Sequence, residues 1–356
     1  MINNNNVLEL MSSFLEKAHR KLPDSEIYKR KLSYAEFKET KKLLGIKFYN
    51  TDNLKLKASR LLMDYVLVEA DMTIINKPFN LIYNQNTKRY EPCLVILVAA
   101  LEIEGKVYPI DFGFWISQYM IEEGESYLTK SQIAEKMIEN IVKKFSISEI
   151  IFDAGFCTPS LLLKIDSLKI NYICRFPKSR GINKDGKMVN ASNIFKKIAK
   201  SKFYYYHNNG YLNFAEGEYA KHKIQMVVVA NTKAKLVAKD FYCLLTNNLT
   251  LKYPSVLKTY KKRGRIEDLF KKLKTYLGLT VCNRHNEEYV TDRINLAITG
   301  FIIIQDYSQS NKVSFHKALR HIQTKNQADI KNIVSISMTK MFNYTDISAF
   351  QKVNSL

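Results

Sequence analysis

The order of strand-like and helix-like segments is the sequence feature that most constrains the fold of this chain. Tyr65 to Ile75 alternates between two faces as a strand does, and Cys93 to Ile103 is almost continuously apolar. Val107 to Ile116 follows a short turn and completes three consecutive strands. A helical stripe from Ile133 to Phe145 and a short buried strand from Glu149 to Phe152 come next. This order predicts an antiparallel meander, then a helix and a fourth strand.

The later segments predict a second helix-strand pair, an insertion and a return to the core. Thr158-Pro159 opens a helix, and Ile170 to Phe176 is a fifth strand. We expect a mixed α/β fold: an RNase H-like core with a mostly β insertion and helical regions at both ends. The expected boundaries are 1–62 for the helical N-terminal region, 63–176 and 239–310 for the core, 177–238 for the basic insertion, and 311–356 for the helical C-terminal region. The N-terminal region is either a small DNA-binding module or a plain helical cap, because no helix-turn-helix signature is clear.

The charge balance points to a polyanionic partner. The formal net charge is +21 over 356 residues, and a hydrophobic fraction of 46% argues against a disordered chain. Nucleic acid is the commonest partner of such a surface, and an anionic membrane is the competing one. The apolar-rich runs are far shorter than a membrane-spanning helix, and the N-terminal residues MINNNNVLEL do not form a signal peptide. We therefore expect a cytoplasmic protein that binds nucleic acid.

Cysteine usage agrees with that compartment. The five cysteines form no CxxC pair, and the six histidines show no ligand spacing with them, so a zinc site is not expected. Buried, reduced thiols are the expectation.

One helix concentrates the side chains that carry chemistry. A helical period of about 100° per residue places four polar residues within an arc of about 60°: Tyr260, Arg263, Glu267 and Lys274. The apolar stripe beside them predicts a face packed on a core: Ile266, Phe270, Leu273 and Leu277. A charged stripe is most often a solvated helix face. Residues 258–274, however, carry eight Lys or Arg against Glu267 and Asp268, which favours a carboxylate set among phosphate-binding groups.

Two earlier aspartates stand where a metal site built with Glu267 needs them. In an RNase H-like fold, carboxylates on the first strand, after the fourth strand and on a late helix converge, and here these are Asp71, Asp153 and Glu267. Two Mg²⁺ ions about 4 Å apart activate a water and stabilise the leaving oxygen of a phosphodiester, and Mg²⁺ takes oxygen ligands. Structural alternatives exist, since Asp153 before Ala-Gly suits a strand-ending turn, and Glu69 shares a strand face with Asp71 as a rival ligand.

The spacing of these residues resembles a known signature. The pattern Y-x2-R-x3-E-x6-K is matched at all four positions: Tyr260, Arg263, Glu267 and Lys274. Asp71-Met72-Thr73 is similar to a first-aspartate D-x-T block, and Asp153-Ala154-Gly155-Phe156 is similar to a second-aspartate block. In these features the chain resembles bacterial insertion-sequence transposases of the DDE type, in the group marked by this signature. The likeness covers about residues 63–310, including the β insertion.

The resemblance implies a metal-dependent reaction on DNA. The residues expected to hold the catalytic ions, two Mg²⁺ with Mn²⁺ as a substitute, are Asp71, Asp153 and Glu267. Those expected to hold phosphates near the cut transposon end are Tyr260, Arg263 and Lys274. The family cuts transposon ends with water as the nucleophile, and the freed 3′ hydroxyl then attacks the opposite strand or a target duplex. It usually works as a homodimer that pairs two ends in a synaptic complex.

Further cations complete the expected DNA-binding set. Phosphate contacts are predicted from the signature helix and the basic insertion: Lys261, Lys262, Arg265, Arg175, Lys178 and Arg180. Some relatives stack a flipped base on a Trp of the insertion, whereas the single tryptophan here, Trp115, is predicted to be a core residue of the third strand. Two alternatives stay open: a related nuclease that cuts without joining, and a captured transposase that only binds DNA.

Overall fold

A large mixed β-sheet forms the centre of the molecule. The computed structural model describes residues 4–18, 59–69, 78–84, 87–196, 204–205, 211–230, 241–279 and 287–341. The strands within these ranges are β1 (Ser59–Glu69), β2 (Phe79–Asn84), β3 (Arg89–Ile103), β4 (Lys106–Trp115), β5 (Ile147–Phe152), β6 (Asn171–Phe176), β7 (Gly181–Lys184), β8 (Lys187–Asn190), β9 (Tyr204–Tyr205), β10 (Tyr211–Tyr219), β11 (His222–Ala230) and β12 (Phe241–Thr246). They form one sheet in the order β2-β3-β1-β5-β6-β12-β11-β10-β7-β8, with β4 also paired to β3 and β9 to β10.

Helices cover both faces of this sheet and extend to the ends of the described chain. They are α1 (Asn4–Lys17), α2 (Lys130–Val142), α3 (Pro159–Ser167), α4 (Ala191–Lys196), α5 (Tyr253–Tyr260), α6 (Gly264–Tyr276), α7 (Glu287–Ser310), α8 (Phe315–Gln323) and α9 (Gln327–Met341). No helix in the described ranges combines the length and the apolar character that crossing a membrane requires.

The core strands confirm the predicted fold class. β3 pairs antiparallel with both β1 and β4, while β5 is parallel to β1 and β6 is parallel to β5. The resulting order, β4-β3-β1-β5-β6, is that of an RNase H-like core in a mixed α/β protein. The predicted β3–β4 turn is present, and Glu104 and Gly105 both have positive φ, as a two-residue hairpin turn requires.

The first strand begins earlier than the sequence pattern suggested. We predicted a strand from Tyr65 to Ile75, but β1 begins at Ser59, and residues 70–77 lie outside the described residues. The segment before Tyr65 is the part that pairs with β5, through Arg60 to Met63. The error arose because Leu61, Leu62 and Met63 form an apolar run, which does not show the alternation of a half-exposed strand.

The hairpin formed by β2 and the start of β3 was not anticipated. β2 pairs with β3 from Phe79 opposite Leu94 to Asn84 opposite Arg89, on the edge of β3 whose other half pairs with β4. β3 therefore begins before Cys93, where the predicted strand began. Its first residues include Arg89, Tyr90 and Glu91, which hid the strand because they interrupt the apolar run.

The insertion enlarges the core sheet. Within residues 177–238, the part expected to be a mostly β insertion, the described strands are β7, β8, β9, β10 and β11. β12, predicted as the return to the core, pairs antiparallel with β6, and β11 and β10 follow outward from it. The division of the chain into five regions stays a prediction, although β1 begins before residue 63 and α8 and α9 make the C-terminal region helical as far as Met341.

The two central helices lie on opposite faces of β1. Asp64 reaches Arg263, which lies just before α6, whereas the ring of its neighbour Tyr65 lies under Lys130 of α2. Adjacent residues of a strand point to opposite faces, so α2 and α6 cover different sides of the sheet. All four residues of the predicted apolar stripe on α6 are buried. The stretch from Tyr260 to Lys274 is not one continuous helix, however, because a 3-10 turn at Lys261–Arg263 separates α5 from α6.

Candidate active site

Three carboxylates from distant parts of the chain meet at one guanidinium. The parallel register of β1 and β5 places Met63 opposite Phe152, so that the next residues, Asp64 and Asp153, are neighbours at the end of β5. Arg263 Nη2 lies 2.7 Å from Asp64 Oδ2 and 3.7 Å from Asp153 Oδ1. Its Nη1 lies 2.7 Å from Glu267 Oε1, one helical turn further on.

Asp64 is the most deeply buried of the three acids, with a side chain that is 6% exposed. Burial raises the pKa of its carboxyl from the usual 3.8 to about 6. The charge of Arg263 and a hydrogen bond from the Tyr65 N–H lower that pKa, while Asp153 and Glu267 raise it further. The charge of the Arg263 guanidinium therefore does not fully offset the effect of burial and of the neighbouring acids on Asp64.

Arg263 keeps its charge in this environment. Burial favours the neutral form of the guanidinium, but the carboxylates around it, led by Asp64, hold its pKa above the usual value. Its Nε atom is buried and has no hydrogen-bond partner in the described part of the chain. A buried donor without a partner is costly, so Arg263 can donate to one further oxygen acceptor.

Tyr260 lies beside this cluster at the end of α5. Its side chain is buried, its hydroxyl has no hydrogen-bond partner among the described residues, and burial raises its pKa. A second unsatisfied donor thus borders the carboxylates. The predicted neighbourhood of Tyr260, Arg263 and Glu267 is present, although Tyr260 is packed inward rather than set on an open face.

Lys274 binds the backbone of β1 instead of the acids. Its ammonium group donates to the carbonyl of Leu67, and burial lowers its pKa, an effect that the charge of Glu69 opposes. Lys274 therefore lies along β1, beyond Asp64 in the direction of Glu69. Glu69, the predicted rival ligand, is exposed at the end of β1.

Two of the predicted DNA contacts, Lys262 and Arg265, form ion pairs with Glu102 instead of with the acids around Arg263. Glu102 of β3 has a side chain only 3% exposed, and it accepts from Arg265 and from the Gly105 N–H at 3.1 Å. Lys262 Nζ lies 3.8 Å from the same carboxylate, and Arg60 Nη1 lies 3.2 Å from it. These contacts fasten the start of α6 to the β3–β4 turn. Lys261, between these residues and Tyr260, is exposed.

The predicted cations of the insertion divide into two kinds. Arg175 is exposed, with its guanidinium 5.6 Å from the centre of the Tyr242 ring, and Lys178 Nζ lies 4.4 Å from the centre of the Phe241 ring. Arg180 instead donates to the carbonyl of Cys157, close to the Asp153 loop. Arg175 and Lys178 thus lie beside β12 aromatics, whereas Arg180 supports the loop.

The sequence missed Asp64 as a candidate, and Asp71 lies outside the described residues. The position beside Asp153 and Glu267 is taken by Asp64, and the role predicted for Asp71 stays a prediction. A signal for Asp64 was available, because it is the one charged residue in the run LLMDYVLV. A lone carboxylate in a buried strand is unusual unless it has a partner or a function.

The donor set suits a hard divalent cation. Within the described ranges, no group of three His, Cys, Asp or Glu residues is already gathered closely enough to hold a metal ion. The three carboxylates instead surround the positive charge of Arg263 and provide only oxygen donors, which Mg²⁺ and Mn²⁺ accept. Asp64, Asp153 and Glu267 fit such an ion if Arg263 exchanges the carboxylates for other acceptors.

The other predicted features of composition agree with the structure. Cys93, Cys157, Cys174 and Cys243 are buried and free of disulfides, while Cys282 lies outside the described residues. Trp115 is half-buried on β4 and packs against the core, with Lys130 Nζ 4.6 Å from its ring centre.

Comparison with known protein families finds a match over part of the chain. Residues 129–299 match the family model described as a transposase DDE domain. This range includes Asp153, the 3-10 turn and α6, and it begins after β1. No curated protein matches the chain. The match supports a DDE transposase family and, in general terms, a transposase enzyme that acts on DNA.

Proposed function

We propose that this protein is a DNA transposase that cuts insertion-sequence ends by metal-dependent hydrolysis and joins the 3′ ends to target DNA. The observation that carries the proposal is the meeting of Asp64, Asp153 and Glu267 around Arg263. The acids come from a core strand, from the end of the strand beside it in the sheet and from the signature helix, and Asp153 and Glu267 lie within the residues that match a transposase DDE domain.

The proposed ions are two Mg²⁺, for which Mn²⁺ can substitute. They would be held by Asp153, Glu267 and one acid of the β1 region. Geometry supports Asp64 as that acid, and the D-x-T motif makes Asp71 the other candidate. Bound divalent ions would supply charge stabilisation to the phosphate and to the attacking and leaving oxygens. The raised pKa of Asp64 supports this role, since a carboxyl poorly compensated by Arg263 gains from additional positive charge.

Arg263, Tyr260 and Lys274 would hold the phosphates of the cut end. Arg263 presents a planar fork that suits two phosphate oxygens, and its Nε atom has no partner among the described residues. The buried Tyr260 hydroxyl can donate to a third oxygen. The phosphate would thus replace the carboxylates as the acceptor for Arg263 and leave those carboxylates to the ions.

Two displacements at phosphorus make up the proposed reaction. In the first, water attacks a phosphodiester at the element end and gives up a proton, while the bond to the 3′ oxygen breaks and that oxygen takes up a proton, which leaves a 5′ phosphate and a free 3′ hydroxyl. In the second, this hydroxyl loses its proton and attacks a phosphodiester of the target, and the target's displaced 3′ oxygen takes up a proton. The first step replaces a phosphodiester by a phosphate monoester and the second exchanges one phosphodiester for another, but both are displacements at phosphorus that build up negative charge on oxygen, so one carboxylate site with its ions would serve both.

The assembly proposed for these steps is a homodimer that pairs two DNA ends in a synaptic complex in the cytoplasm. Lys261, Lys262, Arg265, Arg175, Lys178 and Arg180 are the further proposed DNA contacts. Of these, Arg175 and Lys261 have exposed side chains, while Lys262 and Arg265 reach DNA only by leaving Glu102, and Arg180 only by leaving the Cys157 carbonyl.

The deciding experiment is a cleavage and joining assay on labelled DNA from both flanks of the gene, with Mg²⁺ or Mn²⁺. We expect nicks at a defined boundary and joined products from the wild type, and neither from Glu267→Gln or Asp153→Asn. Asp64→Asn should be inactive because it removes the acid beside Asp153. Asp268→Asn, an exposed acid of the same helix, is the matched control and should cut normally.

The outcomes separate the alternatives. Loss of cleavage in Asp71→Asn but not in Asp64→Asn would transfer the metal-binding role to Asp71. Cleavage without joined products under either metal would indicate a nuclease, and wild-type binding without cleavage would indicate a captured DNA-binding protein. A Glu267→Gln variant that cuts at the wild-type rate would contradict the site itself.

A further inference from the structure

Two tyrosines stand exposed on the unanticipated hairpin of β2 and the start of β3, described at residues 79–84 and 87–94 and here called the tyrosine hairpin. Tyr83 and Tyr90 are register partners, with ring centres 5.4 Å apart in an edge-to-face arrangement. Tyr83 is 46% exposed and Tyr90 is 68% exposed. Two large rings placed side by side in solvent do not stabilise the core, which suggests that they bind something.

The tyrosine hairpin lies at the β2 end of the sheet, and the candidate site lies on β1 and β5 of the same sheet. β1 runs towards Glu69, parallel to β5, which ends next to Asp153. Val98 of β3 lies opposite Asp64, and Tyr90 lies eight residues away in the same direction as Glu69. At about 3.3 Å per residue, Tyr90 is on the order of 25 Å along the strand from the level of the acids.

Cations accompany the two rings. Lys88 lies in the turn and Arg89 is the first residue of β3, next to Tyr90, and both are exposed. The single acid among residues 79–94 is Glu91, which accepts from Thr87 Oγ1 at 2.5 Å. The end of the tyrosine hairpin that carries the two rings thus also carries positive charge, although Arg89 points to the strand face opposite to Tyr90. Rings and cations at one end of a hairpin suit a ligand that has both aromatic faces and negative charges.

The free edge of β2 is partly closed to another strand. The Tyr119 hydroxyl accepts from the Leu81 N–H at 2.9 Å and donates to the Leu81 carbonyl at 2.6 Å. Because both backbone groups of Leu81 are already bonded, a second copy of the chain cannot pair with β2 at this residue. At this residue, a partner can therefore bind the side chains of the tyrosine hairpin but not its backbone.

We infer that the tyrosine hairpin binds unpaired DNA at this distance from the candidate site, with bases stacked on Tyr90 and Tyr83 and phosphates held by Lys88 and Arg89. Aromatic side chains interleaved with cations form such platforms, because every base has a stacking face and every linkage has a charge. The inference rests on the proposed function, since the unpaired DNA that it assigns to the tyrosine hairpin is a strand freed by cleavage at the element end.

The test is equilibrium binding of a labelled single-stranded oligothymidylate to the full chain in the presence of EDTA, with a duplex of equal length as the second probe. We expect Tyr90→Ala to weaken single-strand binding by roughly tenfold and duplex binding much less. Tyr90→Phe should retain binding, because it keeps the ring. The double variant Lys88→Gln/Arg89→Gln should weaken single-strand binding and lower its salt dependence.

The matched control is Lys143→Gln/Lys144→Gln, which removes two adjacent exposed lysines at the end of α2, where β5 begins. This variant should bind the oligothymidylate as the wild type does. Equal affinity of Tyr90→Ala and the wild type would overturn the inference. A loss of self-association in Tyr90→Ala, with unchanged affinity for the oligothymidylate, would also overturn it and assign the rings to a second copy.

Failure of the inference about the tyrosine hairpin is distinguishable from failure of the proposed function, because DNA binding is measured without metal and DNA cleavage is measured with metal. If the wild type cuts DNA and Tyr90→Ala binds single strands normally, only the inference that the tyrosine hairpin binds unpaired DNA is contradicted. A wild type that binds through the tyrosine hairpin but never cuts contradicts the transposase proposal alone.

Discussion

Asp64 carries a charge at neutral pH in a place where burial opposes that charge. Its pKa of about 6, compared with the usual 3.8, means that the folded protein holds this proton more tightly than the unfolded chain does. The stability that this group contributes is fully present below the unfolded pKa and is lost as pH rises through the folded pKa. Asp64 therefore destabilises the fold at neutral pH, as functional residues commonly do.

The first prediction concerns the stability of Asp64→Asn. As the pH rises from about 4 to about 7, the variant should gain stability relative to the wild type by up to about 3 kcal/mol, because the asparagine does not ionise. Denaturant unfolding at several pH values measures this difference. Asp268→Asn, at an exposed position, should show no such trend. A difference between the wild type and Asp64→Asn that does not change with pH would contradict the proposed burial of charge.

At the scale of elements, the start of α6 is held by two acidic partners on the sheet. Arg263 contacts Asp64 of β1, while Lys262 and Arg265 contact Glu102 of β3. Within this one turn, Arg263 thus faces the candidate site, whereas Lys262 and Arg265 bind the buried carboxylate of Glu102, here called the anchor. The anchor positions Arg263 and Glu267, because α6 continues directly from the anchored turn.

The second prediction is that Glu102→Gln lowers both stability and catalysis. Removing one charge leaves Arg60, Lys262 and Arg265 without their shared acid, which should cost about 3 kcal/mol in the free energy of unfolding. At saturating DNA, the cleavage rate per folded molecule should fall, with DNA affinity unchanged or raised. Glu139→Gln, which breaks a surface pair with Lys164, is the control and should affect neither quantity. A stability loss with a normal cleavage rate would reduce Glu102 to a purely structural role.

At the scale of the whole molecule, one sheet carries both the candidate site and the insertion. β12 pairs with β6 and leads outward to β11, β10, β7 and β8, so the insertion continues the core sheet beyond the edge next to Asp153. Arg175 and Lys178 lie where the core meets the insertion, above rings of β12. A net charge of +21 makes DNA binding by this surface dependent on salt.

The third prediction is that Arg175→Gln/Lys178→Gln lowers the slope of log affinity for duplex DNA against log salt concentration by about two units. Each lost phosphate contact releases roughly one counterion fewer. Titrations at several salt concentrations measure the slope. The same titrations with Lys143→Gln/Lys144→Gln should reproduce the wild-type slope, and an unchanged slope in the first variant would place the duplex elsewhere.

The sequence by itself determined the order of the core elements, the basic character of the chain and the spacing of the signature residues. These features depend on local periodicity, composition and intervals along the chain. The apolar stripe of α6 was predictable for the same reason, since burial of one helix face repeats with the helical period.

Only the tertiary structure decided which groups meet. Asp64 and Arg263 are 199 residues apart, and their contact depends on the register of β1 against β5 and on a 3-10 turn before α6. Neither the register nor the turn is encoded in a local pattern, because a one-residue shift in pairing brings a different side chain to the site. For the same reason, Lys262 and Arg265 could not be separated in advance from DNA-binding cations: their partner, Glu102, lies on another strand.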